Sequence, residues 1–342
     1  RESMSMQTSI LEASAFTGLI DLATEKLGGK ALSCSDEFFA EKENLLMPGR
    51  GIFIEDKYTK NGKWMDGWES RRKRGPGHDW CIIKLGLPGV IRGVDIDTNH
   101  FLGNHPPYAS LEACIADPNE HADKLAASDK WVEIVPRSSL KPGSQNLFAV
   151  SSGERFTHVR LNIFPDGGVA RLKIFGDVIP DFSKIKPDAL VDLAAVEFGG
   201  HVVACNDMFF GNMDNLIMPG RGRNMGDAWE TRRKRGPGHD WVIVKLGQPG
   251  LVKKLEVDTA FHIGNYPDTC SVDGCYSPNL EMDNLTWPQA EWKQLLPQLK
   301  LSADKQHYFE KEIIDIGNIT HVRLNIYPDG GVARLRVHCR RG

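Results

Sequence analysis

No stretch of this chain comes near the roughly 18 consecutive apolar residues that a membrane-spanning helix requires, so no span is expected. Charge of one sign is missing as well: the net charge is -3, with acids and bases intermixed, which leaves no global field to hold a nucleic-acid backbone. The seven cysteines are odd in number and scattered, with no C-x-x-C pair of the kind that zinc or redox chemistry uses. They fit a reducing compartment, the cytoplasm. Cys34 with its counterpart Cys205, and Cys114 with Cys275, read as small core filler. Gly75-Pro76-Gly77 fits neither the Walker nor the dinucleotide spacing, so no phosphate loop and no organic cofactor is expected. Arg1 to Met6 have no basic-then-apolar pattern and read as a remnant of cloning with Met6 as the start; residues 1–18 are then a lead-in.

What the chain does have is an internal repeat. Its 342 residues exceed what one core usually serves, and LIDLATEKLGGKALSCSDEFF from Leu19 aligns with LVDLAAVEFGGHVVACNDMFF from Leu190. The alignment continues through Asn44–Gly51 and Asn215–Gly222, Trp68–Trp80 and Trp229–Trp241, Asp97–Pro106 and Asp258–Pro267, and Thr157–Leu172 and Thr320–Leu335. Two domains follow, 19–176 and 190–342, joined by a linker at 177–189 that holds Pro180 and Pro187 and has no regular period. Ile52 to Trp64 has no counterpart in the second copy; it is polar, contains Asn61-Gly62 and reads as a surface excursion.

Each copy reads as mostly β. Trp80–Leu85, Val94–Asp97, Ser110–Ile115 and Trp131–Val135 are short β-rich runs separated by turn residues. In His158–Phe164, Val159, Leu161 and Ile163 share one face, while Arg160 and Asn162 point the other way. Pro165 to Gly168 then turns the chain into Val169–Ile174, a predicted hairpin in which Arg171 joins Arg160 on the polar face. Many such strands indicate an antiparallel sandwich, with its variable chemistry on the end loops. Those loops carry the stretches that match between copies, whereas LGLPGVIRGVDID and LGQPGLVKKLEVD have drifted.

The densest candidate is Trp68-Glu-Ser-Arg-Arg-Lys-Arg-Gly-Pro-Gly-His-Asp-Trp80 and its twin. Trp68 and Trp80 read either as core anchors or, for Trp68, as part of a ligand site; Glu69 either pairs with Arg71 or Arg72 at the surface or accepts N–H groups from a ligand. Arginine offers a planar fork for a carboxylate, which makes Arg50, Arg71 and Arg72 binding candidates. His78 can move a proton near neutral pH, while His158 and His321 read as structural, on an exposed face. Asp97, His100, Asn104 and His105 form a second polar cluster after a strand. Neither H-E-x-x-H nor a facial-triad spacing is present, and the second copy has Phe261 for His100 and Tyr266 for His105; a divalent, Mn-like metal stays open only if different loops supply it. In the second copy the matching candidates are Glu230, Arg232, Arg233, His239, Asp258 and Asn265.

Ser35-Asp-Glu-Phe-Phe39, Asn44-Leu-Leu-Met-Pro48, Asp66-Gly-Trp-Glu-Ser-Arg-Arg72, Asp97-Thr-Asn-His-Phe-Leu-Gly-Asn104 and Pro165-Asp-Gly-Gly-Val-Ala-Arg171 resemble, in order, the blocks of the allantoicase family, and the likeness covers both copies. The resemblance implies an all-β chain of two tandem jelly-roll, galactose-binding-like β-sandwich domains. It also implies hydrolysis of allantoate to ureidoglycolate and urea in purine and allantoin degradation. The implied partner is a small-molecule ureide, with a homo-oligomer left open and neither nucleic acid nor membrane involved. Allantoate bears one carboxylate and two ureido arms. Its chemistry assigns Arg72 or Arg50 to the carboxylate, Glu69 or Asp97 to ureido N–H, and His78 or His100 to proton movement. Competing readings are a non-catalytic carbohydrate- or small-ligand-binding module and a hydrolase of ureidoglycolate. The second copy reads Asp258-Thr-Ala-Phe-His262, so the first copy is expected to contribute more to catalysis; His262 replaces His100 only if its loop bulges.

Overall fold

The computed structural model describes residues 16–279 and 290–342, so the lead-in lies outside it as far as residue 15. The chain divides into Arg1–Ile179 and Pro180–Gly342. Within the second unit, Phe182 stacks on Phe198 and Arg341 donates to the carbonyls of Ile185 and Lys186. The later part of the expected linker is therefore packed onto that unit.

Each unit is a jelly-roll β-sandwich. In the first, Lys30–Cys34, the start of Asp79–Asp97, Arg155–Phe164, Tyr108–Cys114 and Val132–Ser139 form one antiparallel layer in that order. Gln145–Ala149, the end of Asp79–Asp97, Arg171–Val178 and Ile20–Asp21 form the other. The second unit repeats the plan around Asp240–Asp258. Alternation places Cys81, Ile83 and Leu85 of the long strand against Val159, Leu161 and Ile163, and then Val94 and Ile96 against Leu172 and Ile174, all in one core. Trp68 joins that core with no exposed surface.

Two sequence expectations about strands are corrected. Trp80–Leu85 and Val94–Asp97 belong to one 19-residue strand, Asp79–Asp97, that passes from one layer to the other. The intervening Gly86 and Gly89 look like turn residues, but each sits where a Cβ would press on a neighbouring backbone carbonyl, that of Leu27 and that of Asp177. The expected hairpin does not form either: Arg155–Phe164 and Arg171–Val178 pair with different stretches of the long strand, as Arg160 faces Ile82 and Arg171 faces Asp97. Between them Gly168–Val169 leaves to pair with Trp68–Glu69. Arg171 is consequently buried against Asp66, at 2.9 and 3.0 Å, far from the polar face that carries Arg160.

Other expectations differ in degree. The excursion at 52–64 contains a small hairpin, Tyr58–Thr59 with Gly62–Lys63, turning at Asn61-Gly62. His158 and His321 are buried, not exposed, since the outer sheet face is covered there; in the first unit Leu125 and Trp131 pack on Ile82 and Cys114. Burial pushes His321 down to about 4 and lowers His158 too. Cys114 and Cys275 are buried as expected, but Cys34 and Cys205 only partly so, and all seven thiols are free. Among the described residues, no helix is long and apolar enough to cross a membrane.

Candidate active site

The site starts from the tryptophan that anchors its shortest strand. The indole N–H of buried Trp68 donates to the Asp36 carbonyl at 2.8 Å, which fixes the two-residue strand Trp68–Glu69. Successive side chains on a strand point opposite ways, so fixing Trp68 inward turns Glu69 outward. Gly168 pairs with Glu69 and approaches the Phe101 ring so closely that a Cβ would lie 2.0 Å from it. The same Gly168 donates its N–H to the Asn104 carbonyl at 2.8 Å, and the Asn104 side chain donates to Glu69 Oε1 at 2.9 Å. Three blocks that match between the copies thus meet at one carboxylate.

Around it is a cleft of about 630 Å³ whose walls include Phe39, Arg72, Lys73, His105 and Asp166. That size is in the range of small-molecule sites. Burial raises the Glu69 pKa above the usual glutamate value, and the Asn104 hydrogen bond only partly opposes it. The neighbouring cations divide by role. Arg71 turns away to pair with Asp36 at 2.9 Å and lie over Phe38. Lys73 donates its backbone N–H to Asp166 and its ammonium lies 3.1 Å from buried Asp79. Arg72, exposed on the cleft wall, has no hydrogen-bond or ion-pair partner among the described residues. The His105 Nδ1 is buried and has no hydrogen-bond partner among the described residues.

The second unit repeats most of this. Trp229 is buried and donates to the Asp207 carbonyl at 2.8 Å, and Asn265 donates to Glu230 Oε1 at 2.6 Å. Arg232 pairs with Asp207, Lys234 with Asp240, and Arg233 again has no partner among the described residues. Tyr266 stands for His105 and His262 for Phe101.

The remaining sequence candidates lie elsewhere. Asp97 is fully buried and held by the Arg50 fork at 2.8 and 3.1 Å, and Asp258 by Arg221 at 3.0 and 3.0 Å, so in each unit these two groups serve each other. Trp68, enclosed in the core, has no surface to offer a ligand. His100 is exposed and stacks on Phe53. Its backbone φ of 68° matches the 66° of Phe261, so the two loops share one conformation and neither bulges. His262 therefore occupies the place of Phe101 and does not replace His100. His78 lies in a separate groove of about 410 Å³ on the outer sheet face, where its Nε2 meets Asn162 at 3.2 Å. Burial there works against the Glu112 charge, but hydrogen bonds from Arg160 at 2.6 and 3.0 Å and from Asn162 outweigh it and hold Glu112 below the usual range. His239 repeats this with Asn325, which donates in turn to Asp273.

Sequence reasoning did not single out Lys73, gave His105 no part beyond the polar cluster and a metal, and gave His262 no part other than replacing His100. The positive-φ register of the loop was the missing signal. Among the described residues, no three His, Cys, Asp or Glu side chains converge as a metal cluster would.

A family model described as "Allantoicase repeat" matches residues 20–179 and 191–342. A probable allantoicase 1 of Burkholderia mallei is 52% identical over 321 residues, covering 93% of each chain. An allantoicase of Dictyostelium discoideum is 47% identical over 320 residues, covering 93% of this chain and 86% of that protein. The crystal structure of allantoicase from Saccharomyces cerevisiae superimposes with a TM-score of 0.81 at 37% identity, covering 97% of this chain and 98% of that one.

Proposed function

The chain belongs to the allantoicase family and hydrolyses allantoate to ureidoglycolate and urea; from that premise we propose that the reaction runs in the cleft of Glu69 and in its counterpart at Glu230. One observation carries this reading: in each repeat a largely buried carboxylate has a carboxamide bonded to it and, three residues on, an arginine without a partner among the described residues, and in the first repeat all three line one cleft.

The roles follow from the substrate. Arg72, or Arg233, takes the carboxylate through its planar fork. Asn104, or Asn265, holds Oε1 of the glutamate and leaves Oε2 for the reacting arm. Glu69, whose burial favours the protonated form, donates its proton to the nitrogen of the departing ureido arm. The C–N electron pair goes to that nitrogen and urea leaves, while the lone pair of the retained ureido nitrogen forms a C=N bond. The carboxylate left behind takes the N–H proton of that nitrogen and is restored. Water then adds across the C=N bond, its oxygen to carbon and one hydrogen to nitrogen, giving ureidoglycolate.

The partner in this reading is a small ureide, and the seven free thiols support a cytoplasmic setting. Urea release from allantoate and from ureidoglycolate, measured side by side, tests it. One urea per allantoate, with ureidoglycolate accumulating, is expected. Faster release from ureidoglycolate would assign the cleft to the smaller ureide.

A further inference from the structure

The second cleft holds a side chain that the first one lacks, and no step above uses it. His262 is fully buried, and its ring lies against Gly331 so closely that a Cβ there would be 2.0 Å from Cδ2. Gly331 pairs with Glu230, so the residue that seats the imidazole also positions the carboxylate. His262 Nδ1 is 2.8 Å from the Ala260 carbonyl, and Nε2 is 3.6 Å from Glu230 Oε2. A carbonyl oxygen can only accept, so Nδ1 must carry a hydrogen. In the singly protonated ring Nε2 is then a bare lone pair, buried without a hydrogen-bond partner among the described residues and facing a carboxylate oxygen. Two lone pairs in that position repel each other unless a proton lies between them.

We propose that Glu230 and His262 share one proton and act as a unit in the second cleft, with His262 a positioning residue that presents the proton-bearing Glu230 to the departing ureido arm. This rests on the assignment of the clefts as active sites and goes beyond it, because it makes the two repeats chemically different. Oε1 accepts from Asn265, while Oε2, the oxygen left for the reacting arm, has Nε2 3.6 Å away, so a small movement of either side chain passes the proton between them. During turnover the proton passes to the leaving nitrogen as the C–N bond breaks, and the pair regains one from the N–H of the retained arm. Glu69 has Phe101 at the equivalent position and must hold its proton by burial alone. The copy expected to dominate on the strength of His100 is thus the one without the dyad.

His262→Phe is the direct test, since the first repeat already seats phenylalanine in that place. It is made in a Glu69→Gln background, where only the second cleft reports. The expected result is an unchanged melting temperature and KM with kcat lowered at least about tenfold, part of the roughly 10²- to 10⁴-fold that a positioned proton donor contributes. Nitrogen NMR of the His262 ring gives an independent readout. Nε2 should carry or share a proton in the parent and become a neutral, unprotonated acceptor in Glu230→Gln, where the amide NH2 replaces Oε2. An unchanged kcat in His262→Phe, or a free Nε2 in the parent, overturns the dyad. If Glu69→Gln alone removes all turnover, the second cleft is silent and the dyad falls while the first cleft stands. If Glu230→Gln in that background leaves turnover intact, the cleft assignment itself fails.

Discussion

Replacing Arg72 and Arg233 together by lysine keeps both positive charges and removes both planar forks. A lysine ammonium retains one charged contact to the substrate carboxylate but cannot supply the second, parallel N–H···O bond. Hydrogen bonds to charged groups are worth about 1.5 to 3 kcal/mol, so kcat/KM for allantoate should fall by about 10- to 150-fold. The carboxylate is bound alike before and during bond breaking, so the loss should appear mainly in KM. Both arginines are exposed and have no partner among the described residues, and the fold should keep its stability to within about 0.5 kcal/mol. Urea release over a range of allantoate concentrations measures the kinetic change. Methylenediurea, which has both ureido arms and no carboxylate, serves as a competing ligand whose inhibition constant should not move. Unchanged kinetics, or equal weakening for methylenediurea, would refute the clamp.

Asp95 is almost fully buried, and burial first, then the neighbouring Asp97, push its pKa up to about 7 against an outweighed hydrogen bond from Gln145. Because it ionises near 3.8 in the unfolded chain, the folded form binds more protons between the two values and stability falls as pH rises through them. Asp95→Asn should therefore raise the melting temperature at pH 8 and not at pH 4, with an upper bound of about 4 kcal/mol at 1.36 kcal/mol per pH unit; parallel shifts at both pH values would contradict this. Arg50→Met leaves Asp97 buried without its counter-charge. Thermal melts should show a loss near the lower end of the roughly 3 to 5 kcal/mol of a broken buried pair, since Arg50 is 43% exposed, while kcat per folded molecule stays the same. His100→Ala, at an exposed ring stacked on Phe53, should leave kcat and KM unchanged; a large loss of kcat would return proton movement to that loop.

The sequence revealed the duplication, the β class and the blocks that build the cleft, because these depend on local pattern and self-similarity. Glu69, Arg72 and Asn104, which line one cleft, were singled out from the same blocks. What could not be read was pairing across the chain. Gly86 and Gly89 signal turns in isolation, and only the carbonyls of Leu27 and Asp177 explain them as close approaches within a continuous strand. Arg50 and Asp97, 47 positions apart, looked like two free groups until the fold joined them. His78 stands in the same thirteen-residue block as Glu69, yet the chain carries it round to the outer sheet face and to Asn162. His262 was weighed only as a stand-in for His100, which it is not. Both loops hold a left-handed residue at the same point, so the histidine keeps the register of Phe101 and turns inward toward Glu230.

The assignment of both clefts rests on two carboxylates, and the double variant Glu69→Gln/Glu230→Gln tests them together. Glutamine preserves size and the acceptor oxygen that faces Asn104 and Asn265, so the protein should fold normally and still bind allantoate by calorimetry. Urea release should fall by at least about 100-fold, as expected for the loss of the proton-moving group. Release close to that of the parent, together with its loss in His78→Ala/His239→Ala, would contradict the account and move the reaction to the outer groove.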